Sequence, residues 1–168
     1  KEAAIATLNN IKGVTVLFNA EKITTAIAAA NQLKEKNGID KFDNIIVASG
    51  VDFPDALSAS YLAYRKNAPI LLISDSTIST VTDYINANLA PDGMVYIVGG
   101  DKVIPLEVEH CINGTSKRLA GKNRYDTNIE VIKEAGMVFF RIGGDEFILL
   151  TGSEDEAVAQ RMAGKVTA

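Results

Sequence analysis

One cysteine, Cys111, stands in a chain of 168 residues, with one histidine, His110, beside it. A single thiol excludes an internal disulfide and any multi-cysteine metal site, and the pair argues against zinc chemistry, which draws on several such ligands. Long apolar runs are missing too, since no stretch approaches the roughly 18 residues of a membrane span. Positive charge is not in excess: 17 Lys and Arg face 21 Asp and Glu, for a net charge of −4. Sequence-independent nucleic-acid binding needs a basic surface, so that class is set aside. There is no Gly-x-Gly-x-x-Gly, no phosphate-loop lysine motif and no nucleophile elbow. No cofactor is therefore expected, and the glycines of a nucleotide-binding α/β enzyme read more simply as turn residues. Lys1 opens the chain without a methionine or a signal peptide, which reads as a processed or excised piece and leaves secretion open.

What is present is apolar and periodic. With 47% hydrophobic residues, the chain can bury a core for one domain, or for one and a half small ones. Residues 44–72 carry the clearest unit. The β-branched run Asn44-Ile45-Ile46-Val47-Ala48-Ser49 ends at Gly50, and Pro54 stands where a helix tolerates a missing N–H. A helix over 55–66 rich in small residues follows, and Ala68-Pro69-Ile70-Leu71-Leu72-Ile73 has the length of a strand covered on both faces. Helical spacing before it, on Ile23, Ala26, Ile27, Ala30 and Leu33, predicts a helix capped by Asn19 and stopped by Asn37-Gly38. A helix on Val81, Ile85 and Leu89 closes at Pro91-Asp92-Gly93. A strand over 94–98, a helix over 105–112, an edge strand over 115–120 and a helix over 125–135 come next. A helix over 1–12 and a strand over 14–18 are predicted at the front, and strand, strand, helix over 138–141, 147–151 and 154–164 at the back. Strands alternating with helices predict an α/β fold with a mainly parallel sheet flanked by helices.

Sliding the chain along itself until Gly152 falls on Gly50 gives a gapless partial match. Lys22, Thr25 and Ile27 fall on Arg124, Thr127 and Ile129, and Ile45, Ile46, Val47 and Ser49 on Phe147, Ile148, Leu149 and Thr151. This predicts tandem repeat modules. Residues 1–13 read as the tail helix of a preceding module, 14–114 as one complete repeat and 115–168 as a partial second.

Four motifs then point to a family. Gly50-x-x-Phe53-Pro54-Asp55-Ala56-Leu57-Ser58, Ala68-Pro69-Ile70-Leu71-Leu72, Val95-Tyr96-Ile97-Val98-Gly99-Gly100 and Arg118-Leu119-Ala120-Gly121-Lys122-Asn123-Arg124-Tyr125-Asp126-Thr127 occur in this order. Together they resemble the type 2 cell-wall-binding repeat (CWB2) of clostridial surface-layer and related wall proteins, over roughly residues 14–136. The resemblance implies α/β modules packed in tandem, a secreted protein at the cell wall or cell surface, and non-covalent attachment to an anionic wall glycopolymer without catalysis. It implies partners among neighbouring modules of the same chain; the apolar face that a truncated array exposes makes a homo-oligomer the other expectation, and the charge and run lengths above point to none in nucleic acid or membrane. It also implies binding roles for Ile70, Leu71 and Leu72 and for the basic segment from Arg118 to Arg124.

The residues themselves agree in part. Lys117, Arg118, Lys122 and Arg124 concentrate positive charge within a short segment of an acidic chain, as a grip on a polyanion requires, and arginine offers planar two-point contact to phosphate or carboxylate. Tyr125 can stack on a sugar face. A solvated edge strand, with Arg124 paired to Asp126, accounts for the same pattern, and simple sheet core accounts for Ile70, Leu71 and Leu72. Asp52 and Asp55 flank a helix start, where carboxylates meet the helix dipole and bare N–H groups. The first module has Asn19-Ala20-Glu21-Lys22 where the second has Gly121-Lys122-Asn123-Arg124, without the arginine.

A second string, Phe139 to Leu150 with Gly143-Gly144-Asp145-Glu146 at its centre, is similar to the hairpin and following helix of diguanylate cyclases, over 139–161. Gly143-Gly144 makes a tight turn between two strands, and Asp145 and Glu146 are the alternative metal-holding residues. The upstream aspartate strand and the nucleotide-positioning residues of that family have no counterpart, so half a site remains. The expectation is a binding module, and a cyclase-derived or nucleotide-binding fragment is the alternative.

Overall fold

Parallel pairing dominates the molecule because its strands are joined by helices long enough to cross back over a sheet. The structure, a computed structural model, describes residues 21–143 and 146–151, and from 137 onward the backbone only. The predicted elements at 1–12, 14–18 and 154–164, the Asn19 cap and Asp145 lie outside the described residues. Helix α1 (Lys22–Asn37) leads into β1 (Phe42–Ser49), α2 (Pro54–Ser58), α3 (Ser60–Lys66) and β2 (Ile70–Ile73). A 3-10 turn (Asp75–Thr77), α4 (Ile78–Asn88), β3 (Leu89–Val98), α5 (Glu107–His110), β4 (Thr115–Leu119) and α6 (Arg124–Glu134) follow. The sheet order is β2-β1-β3-β4, with every pair parallel. The strands β5 (Met137–Gly143) and β6 (Glu146–Thr151) form a separate antiparallel hairpin, in which Gly143 pairs with Glu146.

Alternation along each strand divides the core in two. Ile45, Val47, Leu71, Ile73, Val95 and Ile97 point to the face covered by α1, α4 and α5, where Ile23, Ala30, Val81, Ile85 and Val108 meet them. Ile46, Tyr96, Val98 and Leu119 point to the other face, under Ala59, Leu62 and Val131. Three layers result, helices on both sides of one sheet, which is the α/β class read from the alternation of elements. Helix α1 ends as expected for a glycine stop: Gly38 turns left-handed at φ 62, and its N–H reaches Glu35 O at 3.2 Å.

Two boundaries differ from the sequence reading. The helix predicted over 55–66 is two helices that meet at Ala59. Ser58 Oγ donates to Asp55 O at 2.9 Å and Ser60 Oγ to Leu57 O at 2.7 Å, so hydroxyls compete for carbonyls on both sides of the break. Pro91-Asp92-Gly93 does not close a helix; α4 ends earlier and these residues lie within β3. Leu89 pairs with Phe42 and Met94 with Asn44, so 90–93 bulge from the ladder, the place where a strand accommodates proline. The repeat alignment equates 147–151 with β1, which is paired in parallel on both sides, whereas that stretch is β6 of the antiparallel hairpin.

At the lower end of the α6 face, Glu134 holds two lysines: Lys117 Nζ at 2.6 Å and Lys66 Nζ at 3.2 Å, with Lys66 lying 5.2 Å from the centre of the Tyr96 ring. Burial pushes the Glu134 carboxyl up, but the hydrogen bonds from Lys117 and Lys66, with their charges, outweigh it and leave it below the ordinary range. A depressed carboxylate stabilises the fold above its unfolded value, and that contribution disappears as pH falls through the folded value. Glu134→Gln is therefore expected to lower the melting temperature at neutral pH, and the gap to the parent should close as pH drops below the carboxylate range. Melting curves across pH check this; a gap that persists in acid counts against it.

Candidate functional site

The strand order places the crevice. From β1 the chain moves outward to β2, and from β3 it moves the opposite way to β4, so the loops leaving β1 and β3 part at their carboxyl ends. Ligands of open α/β sheets enter at such a switch point. Here it opens as a cleft of ≈ 350 Å³. Asp52, Pro54 and Asp55 form one wall, Gly100 to Val103 a second, and Gly121 to Arg124 with Thr127 a third.

Each wall has a local cause. After β1, Ser49 Oγ accepts the N–H groups of Val51 (3.1 Å) and Asp52 (3.2 Å), and Asp52 Oδ1 accepts that of Phe53 at 2.9 Å. The Asp52 carboxylate is thus held at the start of α2, although α2 has no side-chain cap hydrogen bond. After β3, Gly99 turns at φ +135, and a side chain there would meet Asp55 Oδ2 at 3.1 Å. The bare glycine is what lets Asp55 lean over the second wall. After β4, Asn123 caps α6: its Oδ1 accepts from Tyr125 N at 2.8 Å and Asp126 N at 3.0 Å. Thr127 Oγ1 accepts Gly121 N–H at 3.0 Å and closes the loop on the helix.

Charge in the cleft is mixed. Lys102, Lys122 and Arg124 supply cations, and Asp52, Asp55 and Asp101 supply carboxylates. Arg124 Nη2 stands 3.9 Å from Asp52 Oδ2, both well exposed, a pairing worth little in water. Lys102 and Lys122 are exposed and make no ion pair among the described residues. Burial pushes Asp55 above the ordinary carboxylate range, Asp52 adds to the rise, and Arg124 pulls against both. Such a set can hold an anion on its cations while its carboxylates accept hydroxyl hydrogens. Thr127, the only hydroxyl side chain lining the cleft among the described residues, already accepts the Gly121 N–H.

The residues singled out in the sequence fall in three places. Lys122, Arg124, Asp52 and Asp55 meet at the cleft. Tyr125 sits next to it on the first turn of α6 with its ring exposed. Arg118 does not line the cleft; its guanidinium lies under the second wall and donates to Glu109 Oε1 at 2.5 Å, Gly99 O at 2.8 Å and Ile104 O at 2.9 Å. Ile70, Leu71 and Leu72 lie in β2, the outer strand of the described sheet. Leu71 is fully buried there, and Ile70 and Leu72 are half-buried. Of Glu146 only the backbone is described. Sequence reading missed Asp101 and Lys102, although the turn glycines in front of them were recognised; a charged pair straight after a strand-ending Gly-Gly was the available signal. Among the described residues, no group of three or more His, Cys, Asp or Glu stands close enough to hold a metal ion.

Comparison with known proteins agrees with this architecture. The chain is 31% identical over 147 residues to the amidase enhancer of Bacillus subtilis (strain 168), a match covering 86% of this chain and 19% of that protein. It is 34% identical over 94 residues to N-acetylmuramoyl-L-alanine amidase LytC of the same organism, covering 54% of this chain and 19% of the relative. The chain thus spans about a fifth of the length of these relatives. Cwp8 from Clostridium difficile superposes with a TM-score of 0.60 at 26% identity, over 79% of this chain and 24% of that one. Cwp6 from the same organism shares the fold at 23% identity, with a TM-score of 0.56 over 75% of this chain and 21% of its own. Residues 17–109, more than half of the chain and including two walls of the cleft, match Cell wall binding domain 2 (CWB2), and the chain belongs to that family.

Proposed function

We propose that this wall-binding module holds an anionic wall glycopolymer in the cleft at the carboxyl ends of β1, β3 and β4, and so anchors a secreted surface protein without catalysing a reaction. The observation that carries this reading is the convergence of Lys102, Lys122 and Arg124 on one cleft in a chain of net charge −4. The cations take the polymer's charge, Asp52, Asp55 and Asp101 accept its sugar hydroxyls, and the exposed Tyr125 offers a ring to a sugar face. Ile70 and Leu72 offer a second contact on the outer strand, through the parts of them left uncovered. One such cleft binds weakly. Neighbouring modules of the same chain, or copies in a homo-oligomer, raise the effective concentration and convert weak sites into firm attachment.

The test is a pull-down on purified Gram-positive walls, before and after extraction of the anionic polymer, with Lys122→Ala/Arg124→Ala beside the parent. Hydrogen bonds to charged groups contribute about 1.5–3 kcal/mol each, so the double variant, which loses two, is expected to bind about a hundredfold more weakly or worse. Its binding should also depend less on salt. Undiminished binding by the variant, or by walls stripped of polymer, overturns the reading. Calorimetry with GTP and Mg²⁺ on the same sample addresses the cyclase-like hairpin: heat there, without wall binding, transfers the function to the segment around Gly143 and Glu146.

A further inference from the structure

Arg118 carries more hydrogen bonds than its place on a short strand requires. Its register partner is Ile97 of β3, so its side chain runs beneath the point where β3 ends and the second wall begins. There Nη1 donates to both Gly99 O and Ile104 O, the first and last carbonyls of the segment 99–104. Nε donates to Glu109 across α5, which fixes the guanidinium from the far side. The backbone of the same strand takes the remaining polar group of Gly99, whose N–H reaches Leu119 O at 3.0 Å. Between these two pinned ends the segment closes on itself, Val103 N and Ile104 N both donating to Gly100 O at 3.0 and 2.9 Å. Gly100, Asp101, Lys102 and Val103, which form the second wall, hang from this clasp.

The clasp is a costly way to gain stability. Arg118 is largely buried, its side chain 16% exposed, and its Nη2 is buried with no hydrogen-bond partner among the described residues. A buried charge with a donor left over is often no better for stability than an apolar side chain of similar volume. What only a guanidinium supplies here is geometry: one planar fork reaching two carbonyls and a carboxylate at once.

We infer that Arg118 is a positioning residue for polymer binding, acting through the segment 99–104 that presents Lys102 to the cleft and not by touching the polymer. This rests on the cleft being the polymer site. It places the charge of Arg118 apart from the charges that bind, and it couples Arg118 to Lys102 although the two serve different ends.

Two readouts on the intact chain test it. Amide hydrogen exchange in the free protein should quicken at Val103 and Ile104 in both Arg118→Lys and Glu109→Gln, while the core amides of β1 and β3 keep their protection. Wall binding should weaken about as much in Arg118→Lys, which keeps the charge, as in Lys102→Ala, and combining the two changes should add little. Glu109→Gln, which leaves Arg118 in place and frees it from its carboxylate, should also weaken binding. A direct contact predicts the reverse: Arg118→Lys keeps most of the binding, Glu109→Gln keeps or improves it, and Lys102→Ala adds its full effect. Unchanged exchange at Val103 and Ile104, or additive losses with Lys102→Ala, overturns the inference. If Lys122→Ala/Arg124→Ala binds like the parent, the cleft reading fails and the inference about binding fails with it, whereas the exchange result still decides whether the clasp holds the loop.

Discussion

Ile97→Ala is expected to cost about 2–5 kcal/mol, the range for truncating a buried isoleucine where the surroundings cannot collapse. Ile97 is fully buried and lies in β3, with Val47 of β1 on one side and the backbone of Arg118 in β4 on the other. Its side chain enters the larger of the two apolar clusters, among residues of the sheet and of the helices above it. Inner strands cannot slide to fill a cavity without breaking pairs on both flanks, so little of the loss is recovered by relaxation. Domains of this size are held by about 5–15 kcal/mol in total, so the variant sits near the edge of folding. Urea unfolding checks it: the midpoint should fall while the slope stays unchanged. Ile129→Ala is the control, since Ile129 is 48% exposed on α6 and should shift the midpoint little. A loss below about 1 kcal/mol at Ile97 would show that the sheet repacks more freely than its pairing suggests.

The same alternation that makes Ile97 costly is what made the fold legible. Ile45-Ile46-Val47 and Val95-Tyr96-Ile97-Val98 are continuous apolar runs, and such runs belong to strands covered on both faces. The glycine stop of α1 was readable because its cause is local, Gly38 taking a positive φ that ends the helix, whereas Asn123, which accepts the first N–H groups of α6, was not read as a cap. The break at Ala59 and the bulge at 90–93 were not readable, since each depends on what the backbone finds in its surroundings. Ser58 and Ser60 look like any small helix residues, and Pro91-Asp92-Gly93 looks like a helix stop until Phe42 and Asn44 are seen pairing around it. Arg118 shows the limit for the site. In sequence it is one of a cluster of cations, and only register tells that it faces α5 while Lys117, one residue away, faces Glu134. Period-two alternation separates neighbours that composition groups together. Lys122 and Arg124 escape that fate because they lie in a loop and at a helix start, where side chains are not sorted by a sheet.

Gly121→Ala is expected to damage the third wall more than loss of any single cation. A methyl group at 121 would overlap Asp126 Cβ, and it would lie 2.5 Å from the Asp126 carbonyl carbon and 2.7 Å from Thr127 N. The obstacles include backbone of the first turn of α6, not the ends of flexible side chains, so the loop has to move as a whole. Moving it breaks the bond from Gly121 N to Thr127 Oγ1 and disturbs Asn123, whose Oδ1 caps the helix. Overpacking of this kind costs about 1–3 kcal/mol. Lys122 and Arg124, on either side of that cap, leave their places with the loop, so wall binding should fall at least as far as in Lys122→Ala/Arg124→Ala although every charge is kept. Gly100→Ala supplies the contrast within the same cleft, because a methyl group there meets nothing within 4 Å. Melting curves and wall pull-downs on both variants decide the point. Weak binding at Gly121 with near-normal binding at Gly100 means that the cleft works by holding its cations in fixed places; equal binding by both means that charge alone suffices and the loop geometry is incidental.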